Sequence, residues 1–217
     1  MTRPASPART RLTQSERTDA MRARLLKATM EVVQEEGWAR ASTPKICERA
    51  GVSRGAQTHH FPTKADLLLA AVREIVGAYQ SEIDDEGALK GAHKWSLRKL
   101  FDLLWDACLQ DGLMECWIEV MVAARTDRDL RTPVAALDRA SLSAMRSAGR
   151  AAEKDAGDLA SDIIELTVYL LRGMVVQRGV HPGEARRRRL FELWVSIVSR
   201  SLTQRSGPNP LQGWSRS

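Results

Sequence analysis

Apolar residues recur along most of this chain at the three- and four-residue spacing of an amphipathic helix. One such stripe runs through residues 18–36 and stops at Gly37, and a second runs through residues 63–83. From residue 93 onward the pattern stays helical, without the alternation that indicates a half-buried strand. The chain is therefore predicted to be all-α. Five further helices are expected, the third of them broken at Pro133: 93–110, 113–125, 127–153, 158–180 and 184–202.

Residues 42–61 contain two short helices joined by a tight turn. Ser42 can cap the first helix, and Gly51 follows its last residue, where glycine adopts a left-handed conformation at little cost. Ser53 can then cap a second helix over residues 54–60. Two helices joined by a short glycine-containing turn form a helix-turn-helix, whose second helix fits the DNA major groove.

The outer face of this second helix is rich in hydrogen-bonding side chains. Arginine can read guanine, glutamine can read adenine, and threonine or histidine can hold a base or a phosphate. An ordinary helical hairpin inside an all-α domain is the alternative, but it does not account for so many polar side chains on a two-turn helix. The candidate base-reading residues are Arg54, Gln57, Thr58, His59 and His60.

The helix that follows is expected to contact DNA at its start. Thr63 and Asp66 have the spacing of a capping box, which places Lys64 in the first turn beside unpaired backbone N–H groups. A helix N-terminus with a lysine suits a phosphate. This helix is long enough to leave the first domain and enter the next, so we expect it to link the two mechanically.

The distribution of charge supports a DNA-binding first domain. The 217 residues carry a net charge of +6. Residues 1–64 hold twelve Lys and Arg against six Asp and Glu, whereas the remainder holds twenty-one of each. All of the excess positive charge therefore lies on the segment that carries the helix-turn-helix, as expected for a domain that faces phosphates.

The segment GVSRGAQTHHFPTKADLL resembles the DNA-binding domain of the TetR family of bacterial transcriptional regulators. The resemblance covers about Arg24 to Leu69 and departs from the family at two positions. Thr58 stands where the family often has tyrosine, and Gln57 where it often has an aliphatic or aromatic residue, which favours a base-reading role for Gln57. The matching residues are Leu25, Leu26, Ala28, Gly37, Trp38, Ile46, Ala50, Gly51, Val52, Ser53, Gly55, His60, Phe61 and Lys64.

The last two predicted helices are apolar on more than one face. In a lone domain this would leave apolar surface exposed, so we expect the pair to meet a twofold mate in a four-helix bundle. The resemblance implies the same, because TetR-family proteins usually dimerise through these helices. The alternative is that both stripes are internal core. The candidate interface residues are Ile164, Val168, Leu171, Val175, Leu190, Trp194 and Ile197.

Large, adaptable side chains are concentrated between residues 95 and 121. Tryptophan and methionine line adaptable apolar pockets, and the resemblance implies a small-molecule effector in this domain. The alternative is that they are plain core. Glu115, Glu119 and Arg125 would supply polar contacts. The candidate ligand-binding residues are Trp95, Phe101, Trp105, Cys108, Met114, Trp117, Met121, Met145 and Tyr169.

Other functions find little support in the sequence. Three cysteines without CxxC spacing indicate reduced thiols. No apolar run is long enough for a membrane helix, and the N-terminus lacks the apolar core of a signal peptide. We therefore expect a cytoplasmic protein. No phosphate loop, HExxH or Gly-x-Ser-x-Gly motif indicates an enzyme, and no cofactor or metal is expected. The basic run at 186–189 is interpreted as solvated surface rather than as a second nucleic-acid patch.

The sequence thus predicts a homodimeric regulator, most simply a repressor that a small apolar or aromatic effector releases from operator DNA. Ser42, Thr43, Ser53 and Lys64 would hold phosphates. A DNA-binding dimer without an effector and an all-helical protein–protein adaptor remain the alternatives. The expected organisation is a disordered basic arm, a helix-turn-helix domain, a helical effector-binding and dimerisation domain and a disordered tail: 1–17, 18–64, 65–205 and 206–217.

Overall fold

Helices account for nearly all of the chain that can be described. The structure, a computed structural model, describes residues 13–89, 96–109, 112–153 and 156–203. Within these ranges the chain forms nine α-helices and no strand, so the all-α prediction is confirmed. The helices are α1 Gln14–Glu36, α2 Thr43–Ala50, α3 Arg54–His60, α4 Lys64–Leu89, α5 Leu97–Leu109, α6 Leu113–Ala124, α7 Arg128–Ala152, α8 Asp158–Arg178 and α9 Glu184–Thr203.

The first helix begins earlier than its apolar stripe predicts. Thr13 and Glu16 form a capping box, in which the Thr13 N–H donates to Glu16 Oε2 at 2.6 Å and the Glu16 N–H donates to Thr13 Oγ1 at 3.2 Å. These bonds satisfy two of the unpaired donors at the helix start. Residues 14–17 are therefore helical rather than part of the predicted arm. The rest of that arm and the predicted 206–217 tail lie outside the described residues.

The chain divides into two units after Val72, inside α4 and later than the predicted boundary at residue 64. We call residues 1–72 the DNA-binding unit and residues 73–217 the C-terminal unit. Helix α4 continues to Leu89, past the predicted end at residue 83. Both differences follow from a single helix whose apolar stripe is shared between the two units, so the stripe alone does not mark where one ends.

In the DNA-binding unit, α1 packs against α2 and α2 against α3. The core is formed by one face of α1, by Ile46 of α2 and by the first turns of α4, including Leu67 and Leu68. At the surface, Arg49 of α2 donates two hydrogen bonds to the Glu35 carboxylate of α1, at 2.8 and 2.6 Å. This two-point contact fixes α2 against α1 and so supports the helix that follows the turn.

In the C-terminal unit, the fully buried core joins α5, α8 and α9. Phe191 of α9 contacts the rings of Phe101 and Trp105, with centroid distances of 6.3 and 5.0 Å. Helices α7 and α8 approach closely where Gly149 faces Ile164. These contacts place the predicted aromatic cluster largely inside the core.

Helix α7 runs through Pro133 without interruption, so the predicted break there is wrong. Pro133 lies near the start of the helix, where it removes only one N–H donor, the one that would reach the carbonyl of Asp129. The Asp127 carboxylate caps this end and accepts the N–H groups of Asp129 and Leu130 at 2.9 and 3.3 Å.

Among the described residues, no helix combines the length and apolar character needed to cross a membrane.

Candidate functional site

The turn between α2 and α3 depends on one glycine. Gly51 has a φ of +62° and a ψ of +41°, and its N–H donates to the carbonyl of Glu48 at 3.1 Å. A side chain at this left-handed position would strain the backbone. Ser53 then caps α3, because its Oγ accepts the N–H of Ala56 at 3.3 Å. The two features set the direction in which α3 leaves α2.

One face of α3 is open to solvent and polar. Arg54, Gly55, Thr58 and His59 are exposed, and His60 is half-buried with its ring edge-to-face against His59. Arg54 forms no ion pair with any residue that the structure describes, so its guanidinium is available to a ligand. A Cβ added at Gly55 would meet no protein atom within 4 Å. The fold therefore does not require glycine there, whereas a closely approaching DNA backbone would.

Gln57 does not lie on this face, which corrects the expectation that it reads a base. Its side chain is 1% exposed, and Nε2 donates to the carbonyl of Phe61. Its Oε1 accepts from the Cys47 thiol, with a sulfur–oxygen distance of 3.9 Å. A base edge cannot reach this buried amide. The usual aliphatic or aromatic residue at this family position was the signal that the position belongs to the core.

Lys64 also differs from its predicted role. Its Nζ donates to the carbonyl oxygens of Trp38 and Ala41 at 2.8 and 3.0 Å and lies 4.0 Å from the centroid of the Trp38 indole. The ammonium is thus directed into the α1–α2 connection, and burial lowers the pKa of Lys64. In this geometry Lys64 fixes the start of α4 to that connection rather than extending towards a phosphate.

Two residues at the start of α2, Ser42 and Thr43, remain predicted phosphate contacts. Ser42 and Thr43 are half-buried, and the Ser42 side chain makes no capping hydrogen bond, so its hydroxyl is free of that role. The basic residues of α2 are less available. Lys45 pairs with Glu36, and Arg49 pairs with Glu35 and lowers the pKa of that carboxyl. Spacing along one helix does not reveal these contacts, which join α2 to α1.

Comparison with known proteins identifies the fold of this first unit. Residues 25–71 match the sequence model of the bacterial regulatory proteins of the tetR family. Over 173 residues the chain is 31% identical to an uncharacterized HTH-type transcriptional regulator of Mycobacterium tuberculosis (strain ATCC 25618 / H37Rv), covering 78% of this chain and 88% of the relative. This chain belongs to the TetR family. TetR-family regulators bind operator DNA as dimers and often bind small-molecule effectors.

Other relatives of this TetR-family chain match over different lengths. The regulator CymR of Pseudomonas putida is 48% identical over 60 residues, which are 28% of this chain and 30% of CymR. Among solved structures, a transcriptional regulator from Rhodococcus sp. Rha1 has a TM-score of 0.68 at 21% identity and covers 83% of this chain and 96% of its own. The FadR regulator of Bacillus subtilis, solved with stearoyl-CoA, has a TM-score of 0.62 at 17% identity, covering 80% and 97%. These two structures share the fold.

The predicted ligand-binding residues of this TetR-family chain are mostly packed. Phe101, Trp105, Cys108 and Trp117 are buried, while Met114, Met121 and Met145 are half-buried, and Met114 and Met145 lie against the core. Tyr169 is exposed on α8 and lies outside the buried aromatic cluster. Trp95 lies outside the described residues. The buried aromatic rings fill the space between α5 and α9, so a ligand in this cluster would have to enter beside the methionines or displace core side chains.

The predicted dimer residues divide into two groups. Four of them are buried in the core of their own subunit: Ile164, Val168, Leu171 and Val175. The prediction that these four residues form the dimer interface is therefore wrong. They lie on the face of α8 that packs against α5 and α7. Leu190 and Ile197 are exposed, and Trp194 is half-buried with its Nε1–H donated to Thr167 Oγ1 at 2.9 Å. We call the exposed apolar residues of these helices the α8–α9 apolar face: Leu166, Tyr169, Val176, Leu190, Leu193 and Ile197.

The basic run at the start of α9 serves different contacts at successive positions. Arg188 hydrogen-bonds Asp102 and Glu192 and lies 5.0 Å from the centroid of the Trp105 ring. Arg186 and Arg187 line an open groove of about 820 Å³ between α8 and α9, together with Tyr169, Leu170, Gly173, Met174, Gln177, His181, Gly183 and Leu190. The run therefore does not form one continuous basic patch.

Cys47, Cys108 and Cys116 are buried and form no disulfide bond with one another. Burial raises the pKa of Cys108 and of Cys116 to about 12, so both remain protonated thiols at neutral pH. Within the described ranges, no group of three or more histidine, cysteine or acidic residues is arranged to hold a metal. Cys108 and Cys116 therefore remain small, unionised side chains of the core.

Proposed function

We propose that this TetR-family protein represses transcription by binding operator DNA as a homodimer, with one α3 in the major groove of each half-site. The observation that carries this proposal is the exposed polar face of α3, where Arg54, Thr58 and His59 surround the open position of Gly55. Arg54 would read guanine, and the two other side chains would hold a base or a phosphate. The protein would act in the cytoplasm, where bacterial DNA lies.

The α8–α9 apolar face supports the homodimer. Leu166, Leu193 and Val176 are each more than half exposed, which is unusual for large apolar side chains grouped on two neighbouring helices. A twofold axis beside these helices would bury the same face on both subunits, and a dimer supplies the two recognition helices that half-sites about one turn of DNA apart require. The corrected interface thus uses the outer side of α8 and α9 rather than their core side.

A small, mainly apolar effector with a polar group would fit the C-terminal unit best. Met114, Ile118, Leu142 and Met145 are partly buried against the core, and methionine adapts easily to a ligand. In the same unit, Nε of Arg172 and Oε2 of Glu115 are buried without a hydrogen-bond partner. Such atoms are costly unless something pairs with them, and a polar group on the effector would supply a partner.

Release would proceed through α4, because this helix begins in the DNA-binding unit and ends in the C-terminal unit. An effector that prefers one position of α4 would shift the population towards it and change the spacing of the two recognition helices. The effector can lower DNA affinity by no more than the ratio of its own affinities for the two states.

The proposal is tested by selecting duplexes from fragmented chromosomal DNA and measuring their affinity for Arg54→Ala and for Arg128→Ala. Arg128 is exposed on α7, so the control removes the same charge from the C-terminal unit. Arg54→Ala should lose about 1–3 kcal/mol of binding free energy and relax the preference at one base pair, whereas Arg128→Ala should not. Equal behaviour of the two variants would exclude base reading by Arg54.

A second candidate, a DNA-binding dimer without an effector, is favoured by the closed packing of Phe101, Trp105 and Phe191. A panel of apolar carboxylates, amines and alcohols separates the two. A compound that both raises the melting temperature and releases labelled operator supports the effector. If compounds that bind, as seen by quenching of the tryptophans, never change operator affinity, the second candidate is correct.

A further inference from the structure

Gln57 is a polar side chain placed in the core of the DNA-binding unit. Its side chain is 1% exposed, and the other fully buried polar side chain among the described residues of this unit, Thr29, bonds to the Leu25 carbonyl of its own helix at 2.7 Å. Gln57 instead joins different parts of the unit. A buried amide without partners would be destabilising, so its contacts are the reason that this position tolerates a polar residue.

The contacts of Gln57 lie where α3 ends. Its main-chain carbonyl accepts the N–H of Phe61 at 2.7 Å, and its side-chain Nε2 donates to the carbonyl of the same residue. One residue therefore pairs with both main-chain groups of Phe61, whose extended conformation terminates the helix. The carbonyl of Phe61 can only accept, which determines that the NH₂ side of the amide faces it and the oxygen faces away.

The amide oxygen is directed to the helix on the other side of the turn. Oε1 accepts a hydrogen bond from the thiol of Cys47, with a sulfur–oxygen distance of 3.9 Å. Cys47 is a buried residue of α2. Burial raises the pKa of Cys47, so the thiol keeps the proton that it donates. Gln57 thus connects the end of α3 to α2 by directional bonds, whereas an aliphatic residue would only fill the same space.

The position of Gln57 on the helix relates these bonds to DNA recognition. Successive residues of a helix are about 100° apart, so Gly55 and His59 lie almost opposite Gln57. A rotation of α3 about its axis would move the exposed face by the same angle. Directional bonds on the buried side therefore restrict the orientation of the exposed side.

We propose that Gln57 is a positioning residue that sets the orientation of the recognition helix, and hence base specificity, without contacting DNA. This inference rests on the proposed function, in which α3 enters the major groove. Affinity for the operator depends on the fraction of molecules whose α3 has the binding-competent orientation. Losing the two side-chain bonds would lower that fraction and populate other orientations of α3, which align its side chains less well with base edges, so discrimination between bases would fall while the charge of the surface stays unchanged.

The test compares Gln57→Leu, which keeps the approximate size of the side chain and removes both bonds, with Arg54→Ala. Sequence preferences are measured over every operator position by binding to a library of single-base variants. Gln57→Leu should lower specific affinity by about threefold to tenfold, with preference reduced at several positions, including the one that Arg54 reads. Arg54→Ala should relax one position. Non-specific affinity and its salt dependence should not change in Gln57→Leu.

Cys47→Ala provides a second variant that retains Gln57 and its bond to Phe61. It should lower specific affinity by less than Gln57→Leu, and the double variant should bind no more weakly than Gln57→Leu alone, because both changes remove the same bond. The inference is overturned if Gln57→Leu keeps the wild-type preferences or relaxes only one position. It is also overturned if the two substitutions act independently. If the wild type itself shows no sequence preference, the proposed function fails instead.

Discussion

The clearest test of the site concerns Lys64, for which the sequence and the structure predict different roles. Lys64→Met retains most of the aliphatic chain and removes the ammonium. This group donates to the carbonyls of Trp38 and Ala41 and lies over the Trp38 ring. The substitution therefore separates a structural contact, which contributes to folding, from a phosphate contact, which contributes only to DNA binding.

The expected magnitude follows from these contacts. A hydrogen bond from a charged donor contributes about 1.5–3 kcal/mol when buried, but Lys64 is only half-buried, so we take about 1 kcal/mol for each of the two. A cation–π contact at such a site adds about 0.5–1 kcal/mol. Part of this is recovered when water solvates the freed carbonyl oxygens. Lys64→Met should thus lower the free energy of unfolding by about 2 kcal/mol.

Urea unfolding followed by circular dichroism measures this loss, and DNA titration at several salt concentrations measures the phosphate role. The salt dependence should be unchanged, whereas loss of a phosphate contact would make the slope shallower by about one. Lys27→Met is the control for stability, because Lys27 is exposed and its nearest carboxylate, in Glu31, is 3.9 Å away. Unchanged stability with a shallower slope would show that Lys64 binds phosphate and would refute the structural role.

Three further changes test other parts of the molecule. Leu193→Glu should dissociate the homodimer in sedimentation, whereas Val122→Glu, at an equally exposed position on α6, should not; a persistent Leu193→Glu dimer would exclude the α8–α9 apolar face. Gly149→Ala should destabilise by about 1–3 kcal/mol, because the new Cβ would lie 2.6 Å from Ile164 Cγ1, whereas Gly173→Ala, with no atom within 4 Å, should be neutral or stabilising. Glu192→Gln should lower the free energy of unfolding by less than about 1 kcal/mol at neutral pH. Because Arg98 lowers the pKa of Glu192, the stability difference between wild type and variant should vanish as pH falls through that pKa. A stability difference that does not depend on pH would contradict an ionic contact between the two side chains.

The helices and the helix-turn-helix could be predicted because local signals determine them. The three- and four-residue apolar spacing, the left-handed Gly51 and the Ser53 cap all depend on residues close together in the chain. The start of α1 differs from the prediction because its stripe begins after its capping box. Pro133 does not break α7 because the loss of one hydrogen bond in the second turn does not end a helix that Asp127 caps.

The errors at the site have a different origin. Gln57, Lys64 and Ile164 each have a side chain whose direction depends on another element of the fold, and residue type alone does not give that direction. A glutamine on a short polar helix indicates a base contact, although here the amide pairs internally. An apolar helix with two apolar faces likewise does not reveal which face is covered by its own subunit.

The most direct test of the central claim is the affinity of the full chain for the DNA upstream of its own gene, measured over a series of salt concentrations. We expect sequence-specific binding with a palindromic footprint, and an affinity that falls about 10³-fold or more between roughly 50 and 200 mM salt if six or more phosphates are contacted. Binding that is absent, or equal for a scrambled duplex at every salt concentration, would contradict it.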